Sequence, residues 1–283
     1  MNNYYCLVAG LPEVSLDDGK LSYSVLDFKE KIYPYLAKED QRTVDLFYLQ
    51  LDNRALLALL RDKDAVVDNS NGVYTPDELL SIIATVKEND ARCKKYPAYL
   101  YDFVEHYLRD KEAGEADGAL AEDLLASYYY RYAMRCANAF VASWYEFNLN
   151  LNNLQVAITA RKYKLDVARN VVGDTDVCEA LRTSTARDFG LSTVLDYYDD
   201  VARLSEVTDL LERERKTDQL RWDWMEDATF FHYFSIERVF VFLLKLSLIE
   251  RWAGLDKQKG NEAFRFIISS LKDEVSIPEE FRK

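Results

Sequence analysis

The chain has 283 residues, 49% hydrophobic and 30% charged, a composition that excludes disorder and allows a sizeable core. Nine glycines and five prolines are too few for the many tight turns of a β-sandwich or barrel. The expected fold class is therefore all-α. A net charge of −13 argues against nucleic acid and anionic lipid as partners, because both draw affinity from Lys and Arg, and it makes basic protein partners the natural complement.

Tyr4 to Leu11 is a short apolar run that fits a strand, an extended segment or a short helix. Asp17-Asp18-Gly19 is turn chemistry. Ser24 to Ala37 reads as a helix interrupted near Pro34, with Val25, Phe28, Ile32 and Tyr35 inward. Lys38 to Arg61 reads as a helix with an expected weak point at Asp52-Asn53. Thr75-Pro76-Asp77-Glu78 carries a complete helix start: a capping threonine, proline at the first helical position and acids in the first turn. A further helix follows Pro97, and Lys111 to Gly118, charged and carrying two glycines, reads as a linker.

From Ala119 to Val172 there is no glycine and no proline, and apolar residues recur at steps of three and four through Leu124, Tyr128, Tyr132, Cys136, Phe140, Trp144 and Phe147 to Ile158. Between Tyr132 and Ala160 the only charges are Arg135 and Glu146. The stretch is expected to be one long helix with neighbours around most of its circumference. At about 1.5 Å per residue, about 45 helical residues would reach roughly 70 Å, which calls for a bend or an elongated molecule. The polar–apolar alternation of Glu146 to Asn153 is the one strand-like feature, and its periodic flanks favour helix.

Asp176 to Arg187 and Ser192 to Ser205 read as short helices, the second with Val194, Leu195, Tyr198, Val201 and Leu204 inward. From Leu220 to Gly254 the run Trp222, Met225, Phe230, Phe231, Phe234, Val239, Phe242, Leu246, Ile249 and Trp252 marks a second dominant helix. Asn261 to Leu271 is a final helix and Ser276-Ile-Pro a tail. The expected architecture is an elongated, multi-lobed bundle organised on two long helices, divided as 1–110, 119–172 and 173–283.

Chemistry is sparse. Asp196, Asp199 and Asp200 would fall near one helix face and suggest magnesium–diphosphate binding, as in all-helical isoprenoid synthases. The aspartate pair closes the cluster instead of opening it, and no second metal motif accompanies it, so a solvated acidic face is the preferred reading. Two histidines, His106 and His232, cannot build a di-iron centre that needs two Glu-x-x-His pairs. Phosphate loops and a nucleophile elbow are missing from the sequence. His232, among Phe230, Phe231, Tyr233 and Phe234, reads as a core or interface histidine. Cys6, Cys93, Cys136 and Cys178 lie far apart and read as reduced core thiols. No catalytic residue, cofactor or metal site is expected. The apolar run Val239 to Leu244 stops at Lys245, well short of the ~20 residues a bilayer span needs, and the N-terminus lacks a basic region, so the chain is read as soluble.

The two dominant helical stretches resemble the C/d family of central-stalk subunits in A-type and V-type rotary ATPases, lettered d in eukaryotes. That family carries acid-x-x-Asn-Ile/Leu before a basic residue; here Asn150-Leu-Asn-Asn153-Leu154 precedes Arg161, with Asn150 in the acid's place. It also carries Lys-x-x-Glu-Ile after an aromatic and aliphatic run; here Lys245-Leu-Ser-Leu248-Ile249 follows Val239 to Leu244, with Leu248 in the acid's place. The start Tyr4-Tyr-x-Leu-Val-Ala-Gly-Leu-Pro is similar to a group of bacterial proteins associated with V-type ATPases. The resemblance implies a non-catalytic, funnel-like element of the central stalk on the cytoplasmic face of the cell membrane. Its partners would be the proteolipid rotor ring and the shaft subunits D and F, its task torque transmission for ion transport, and Asn153, Leu154, Arg161, Lys245 and Ile249 its motif residues. The alternatives are an Asp-rich isoprenoid-type enzyme and a generic helical adaptor.

Overall fold

The computed structural model describes residues 4–17, 23–113 and 118–254. Among them every regular element is helical, twelve α-helices and one 3-10 turn, and there is no strand. The expected final helix Asn261–Leu271, the tail, and parts of the Asp17-Asp18-Gly19 turn and of the 111–118 linker lie outside the described residues.

The N-terminal run forms a short helix, α1 (Tyr5–Ala9), with none of its residues buried. The next, α2 (Val25–Lys31), starts on a Ser24–Asp27 capping box, in which the serine oxygen accepts from the Asp27 N–H and the aspartate accepts from the Ser24 N–H. A 3-10 turn at Tyr33–Tyr35 absorbs Pro34 and turns Leu36 inward, leaving Tyr35 77% exposed instead of buried.

Helix α3 (Lys38–Arg61) is unbroken. Asp52, expected to weaken it, is fully buried, and its carboxylate accepts from Asn69 Nδ2 at 2.6 Å and from the backbone N–H groups of Val73 and Tyr74. These bonds fasten the 62–74 loop to α3 and satisfy donors that burial would otherwise strand. A Cβ on Gly72 would come within 2.4 Å of Asp52 Oδ1, so only glycine lets the loop approach this closely. Helix α4 (Pro76–Lys87) begins on the expected Thr75 capping box. Helices α5 (Ala98–Ala113) and α6 (Gly118–Ala133) follow, and α3, α4, α5 and α6 pack in sequence, with α6 closing back on α3.

The expected single spine is two helices. After α6 the chain turns at 134–138 and restarts as α7 (Ala139–Lys162). Neither glycine nor proline makes the break. Asn138 does, leaving the helix to accept from the Val141 N–H at 3.1 Å while its amide donates to Glu237 Oε1 at 2.7 Å. Helix α7 continues through the Asn-rich run and buries residues on most sides, among them Val141, Trp144, Leu149, Leu151 and Leu154. It ends well short of Val172, with Lys164 in the left-handed region at φ 58°.

Two short helices come next, α8 (Val167–Asn170) and α9 (Asp176–Thr183). Helix α10 (Tyr198–Leu204) starts six residues after the expected Ser192, and Val194, expected inward, is 64% exposed. All three pack on α7.

The second dominant helix is also divided, into α11 (Leu210–Ala228) and α12 (Ile236–Ala253). The turn between them carries Phe230, Phe231 and Phe234, which are exposed instead of joining a buried stripe. Helix α12 packs against α2, and Val25 N–H donates to Glu250 Oε1 at 2.7 Å, joining the end of the described chain to its beginning. One hydrophobic cluster runs from Leu16 to Ile249. Of the four thiols only Cys178 is fully buried; Cys6 and Cys93 are exposed, against expectation.

Candidate functional site

Asn153 and Arg161, two turns apart on α7, hold the chain on either side of α9. The Asn153 side chain pairs with both backbone groups of Val172: Oδ1 accepts its N–H at 2.9 Å and Nδ2 donates to its carbonyl at 2.7 Å. Nδ2 also faces Cys178 Sγ. Gly173, at φ 91° and with Leu149 Cδ2 3.1 Å from where a Cβ would sit, lets the chain turn beneath α7 at this point. Arg161 donates to the carbonyls of Ser184, Ala186 and Arg187, with its guanidinium 3.4 Å from the Phe189 ring centroid. Leu154 between them is fully buried.

Lys245 and Ile249 stand on α12. Ile249 is fully buried. Lys245 is nearly so, ion-paired with Glu226 of α11 and 4.4 Å from the Trp222 ring centroid. Burial lowers the Lys245 pKa, and Arg238 nearby lowers it further, against the pull of Glu226. Burial pushes the Glu226 carboxyl up, but Lys245 and Arg238 outweigh it and hold it below its ordinary 4.5.

Asn153 and Arg161 thus fasten the two flanks of α9 to α7, and Lys245 joins another helix pair. The link between them is one that sequence reasoning missed. On α11, Arg221 donates to Asn148 Oδ1 at 3.1 Å and Asn152 Oδ1 at 2.9 Å on α7, and pairs with Asp218 at 2.8 Å. The fully buried Asp218 also takes Arg251 and the Trp252 indole N–H of α12. One arginine–aspartate pair therefore ties three helices. Its signal was present: Asn148 and Asn152 are four apart, Asp218 and Arg221 are three apart, and asparagines in an otherwise apolar helix require partners.

Above Lys245 a cleft of about 570 Å³ opens between the N-terminal segment and the α11–α12 turn, lined by Leu11, Val14, Phe230, Arg238 and Phe242. Tyr4 N–H donates to the Phe234 carbonyl at 2.7 Å and holds the segment in place. Behind the turn Glu237 is 2% exposed, with Oε2 3.6 Å from His232 Nδ1. Burial works against its charge, yet hydrogen bonds, Asn138's among them, and the facing His232 leave its pKa below the ordinary value. His232 is half-buried in the turn, its ring 6.4 Å from that of Phe140, and His106 bonds Tyr128 Oη at 3.1 Å through Nδ1.

Asp196, Asp199 and Asp200 are all exposed but do not share one helix face. Asp196 precedes α10 and is off the helix that carries Asp199 and Asp200, and Asp200 pairs with Arg203. Among the described residues no group of three His, Cys, Asp or Glu is placed to hold a metal ion. What the arrangement does chemically is hold helices: each polar motif side chain is engaged with backbone or with an opposite charge.

The fold and these ties define an all-helical protein whose buried polar residues lock helix to helix. The chain belongs to the family whose model matches residues 1–275 and is described as "Protein of unknown function (DUF2764)". No curated protein and no solved structure matches it.

Proposed function

We propose that this chain is a non-catalytic central-stalk subunit of a V-type or A-type rotary ATPase, seated between the proteolipid rotor ring and the shaft subunits D and F and transmitting torque. The observation that carries the reading is the use of the five motif residues. Asn153, Leu154, Arg161, Lys245 and Ile249 are all engaged inside the molecule, in ties between α7, α12 and their neighbours. A coupling element has to resist twisting, and dense packing with polar cross-ties supplies stiffness without a reaction site. Among the described residues no helix is long and apolar enough to cross a membrane. In this reading the protein is peripheral to the inner face of the membrane and reaches it through the ring.

The test is affinity purification of a tagged copy from its own cells in mild detergent. Co-elution of ring and shaft subunits D and F in fixed ratio is the expected result. Recovery of the chain without either, in both soluble and detergent-extracted fractions, would overturn the assignment.

A further inference from the structure

We propose that the groove between the C-terminal half of α7 and the start of α11 docks an amphipathic helix of a partner protein whose flanks carry carboxylates. The inference goes beyond the stalk reading and defines the partner by chemistry alone.

The groove, of about 450 Å³, is lined by Gln155, Val156, Leu165, Leu204 and Arg213. Its rim is apolar and open: Val156 is 38% exposed, Leu165 59%, Leu210 62% and Leu211 61%. Leu210 precedes Arg213 by three residues and Leu211 precedes Glu214 by three, so both leucines extend the lining face of α11 by one turn. Two helices flanking an apolar trough match the helix-in-groove mode of recognition, in which residues at steps of three and four seat between them.

Charge selects the partner. Residues 161–169 carry four cations, Arg161, Lys162, Lys164 and Arg169, against one carboxylate, Asp166, in a chain whose net charge is −13. Lys162 Nζ reaches the Ser205 carbonyl at 3.5 Å, which places its ammonium at the mouth of the groove. Among the described residues Lys162, Lys164, Arg169 and Arg213 form no ion pair. The bordering carboxylates are engaged: Asp166 caps α8, Asp209 caps α11, Glu212 pairs with Lys216 and Glu214 with Arg251. Glu206 is the exception. A second copy of the chain would bring −13 against −13, and a phosphate polymer offers no apolar face for the leucines.

Fluorescence anisotropy with the full chain tests this, using two designed peptides of about 18 residues, five helical turns, that share one leucine face. One is flanked by Glu and the other by Lys. The Glu peptide is expected to bind about tenfold tighter, a difference of one decade in Kd. Leu165→Glu and Leu211→Glu, both at exposed positions, should each remove its binding with the helical circular dichroism unchanged. The Lys162→Glu/Lys164→Glu double variant should erase the preference. Tighter binding of the Lys peptide, which net charge alone predicts, would overturn the proposal, as would Glu-peptide binding that survives both leucine variants. A dimer in sedimentation velocity that Leu211→Glu dissolves, with neither peptide bound, would assign the groove to a second copy instead.

Discussion

At the scale of single residues, the side chain of Asn153 does the work of a second backbone strand, taking both the donor and the acceptor of Val172. Asn153→Ala removes both bonds at once, and a buried group left without its partner costs about 1–3 kcal/mol, so the urea midpoint should fall accordingly. Lys245 is a contrasting case. Its partner Glu226 keeps Arg238 at 3.4 Å and is 42% exposed, so Lys245→Met should change stability by less than about 1 kcal/mol. Glu226 also sets a pH dependence. Its folded-state pKa lies below its ordinary 4.5, so the stability it contributes is complete above pH 4.5 and is lost as the pH falls through the folded-state value. Glu226→Gln should flatten that acid-side loss, read as urea midpoints across pH. Parallel curves for the two proteins would contradict it. Asn153, Arg161 and Lys245 were legible in the sequence as motif residues, but their partners were not. Most are carbonyls in loops or a carboxylate one helix away, and nothing local in a sequence encodes which loop returns to a given side chain.

At the scale of helices, starts were legible wherever capping chemistry is local. Thr75-Pro76 and the length of α3 are as the sequence implies. The breaks in the two expected long helices were not legible, because neither is made by a breaker residue. Asn138 leaves the helix for a carboxylate 99 positions away, and that tertiary bond decides between two local options of similar energy. Asn138→Ala should therefore cost more than a cap. About 1 kcal/mol comes from the lost cap, and about 1–3 kcal/mol more from a buried Glu237 carboxylate deprived of one of its donors. A loss equal to the cap alone, measured by denaturant unfolding, would show that the Glu237 bond contributes nothing. Trp144, buried on α7 against Phe147 and Trp224 at ring separations of 6.1 and 5.6 Å, is expected to cost about 3–5 kcal/mol when cut to alanine.

At the scale of the whole molecule, the α12–α2 contact and the Val25–Glu250 bond close the chain on itself, and Arg221–Asp218 ties α7, α11 and α12 together. The all-helical class was legible from glycine and proline scarcity and from periodicity. The exposed aromatic turn and the groove left open among the described residues were not, since periodicity marks apolar residues without saying whether the protein itself covers them. Stiffness with apolar surface left over is what a coupling element needs, and the proposed function requires this chain to couple hydrolysis to transport. The direct measurement is ion uptake per ATP hydrolysed in membrane vesicles from cells with and without the chain. Hydrolysis is expected to persist without it, uptake per ATP to fall, and the wild-type chain to restore the ratio. An unchanged ratio, with the rotary ATPase present in both membranes, would contradict it.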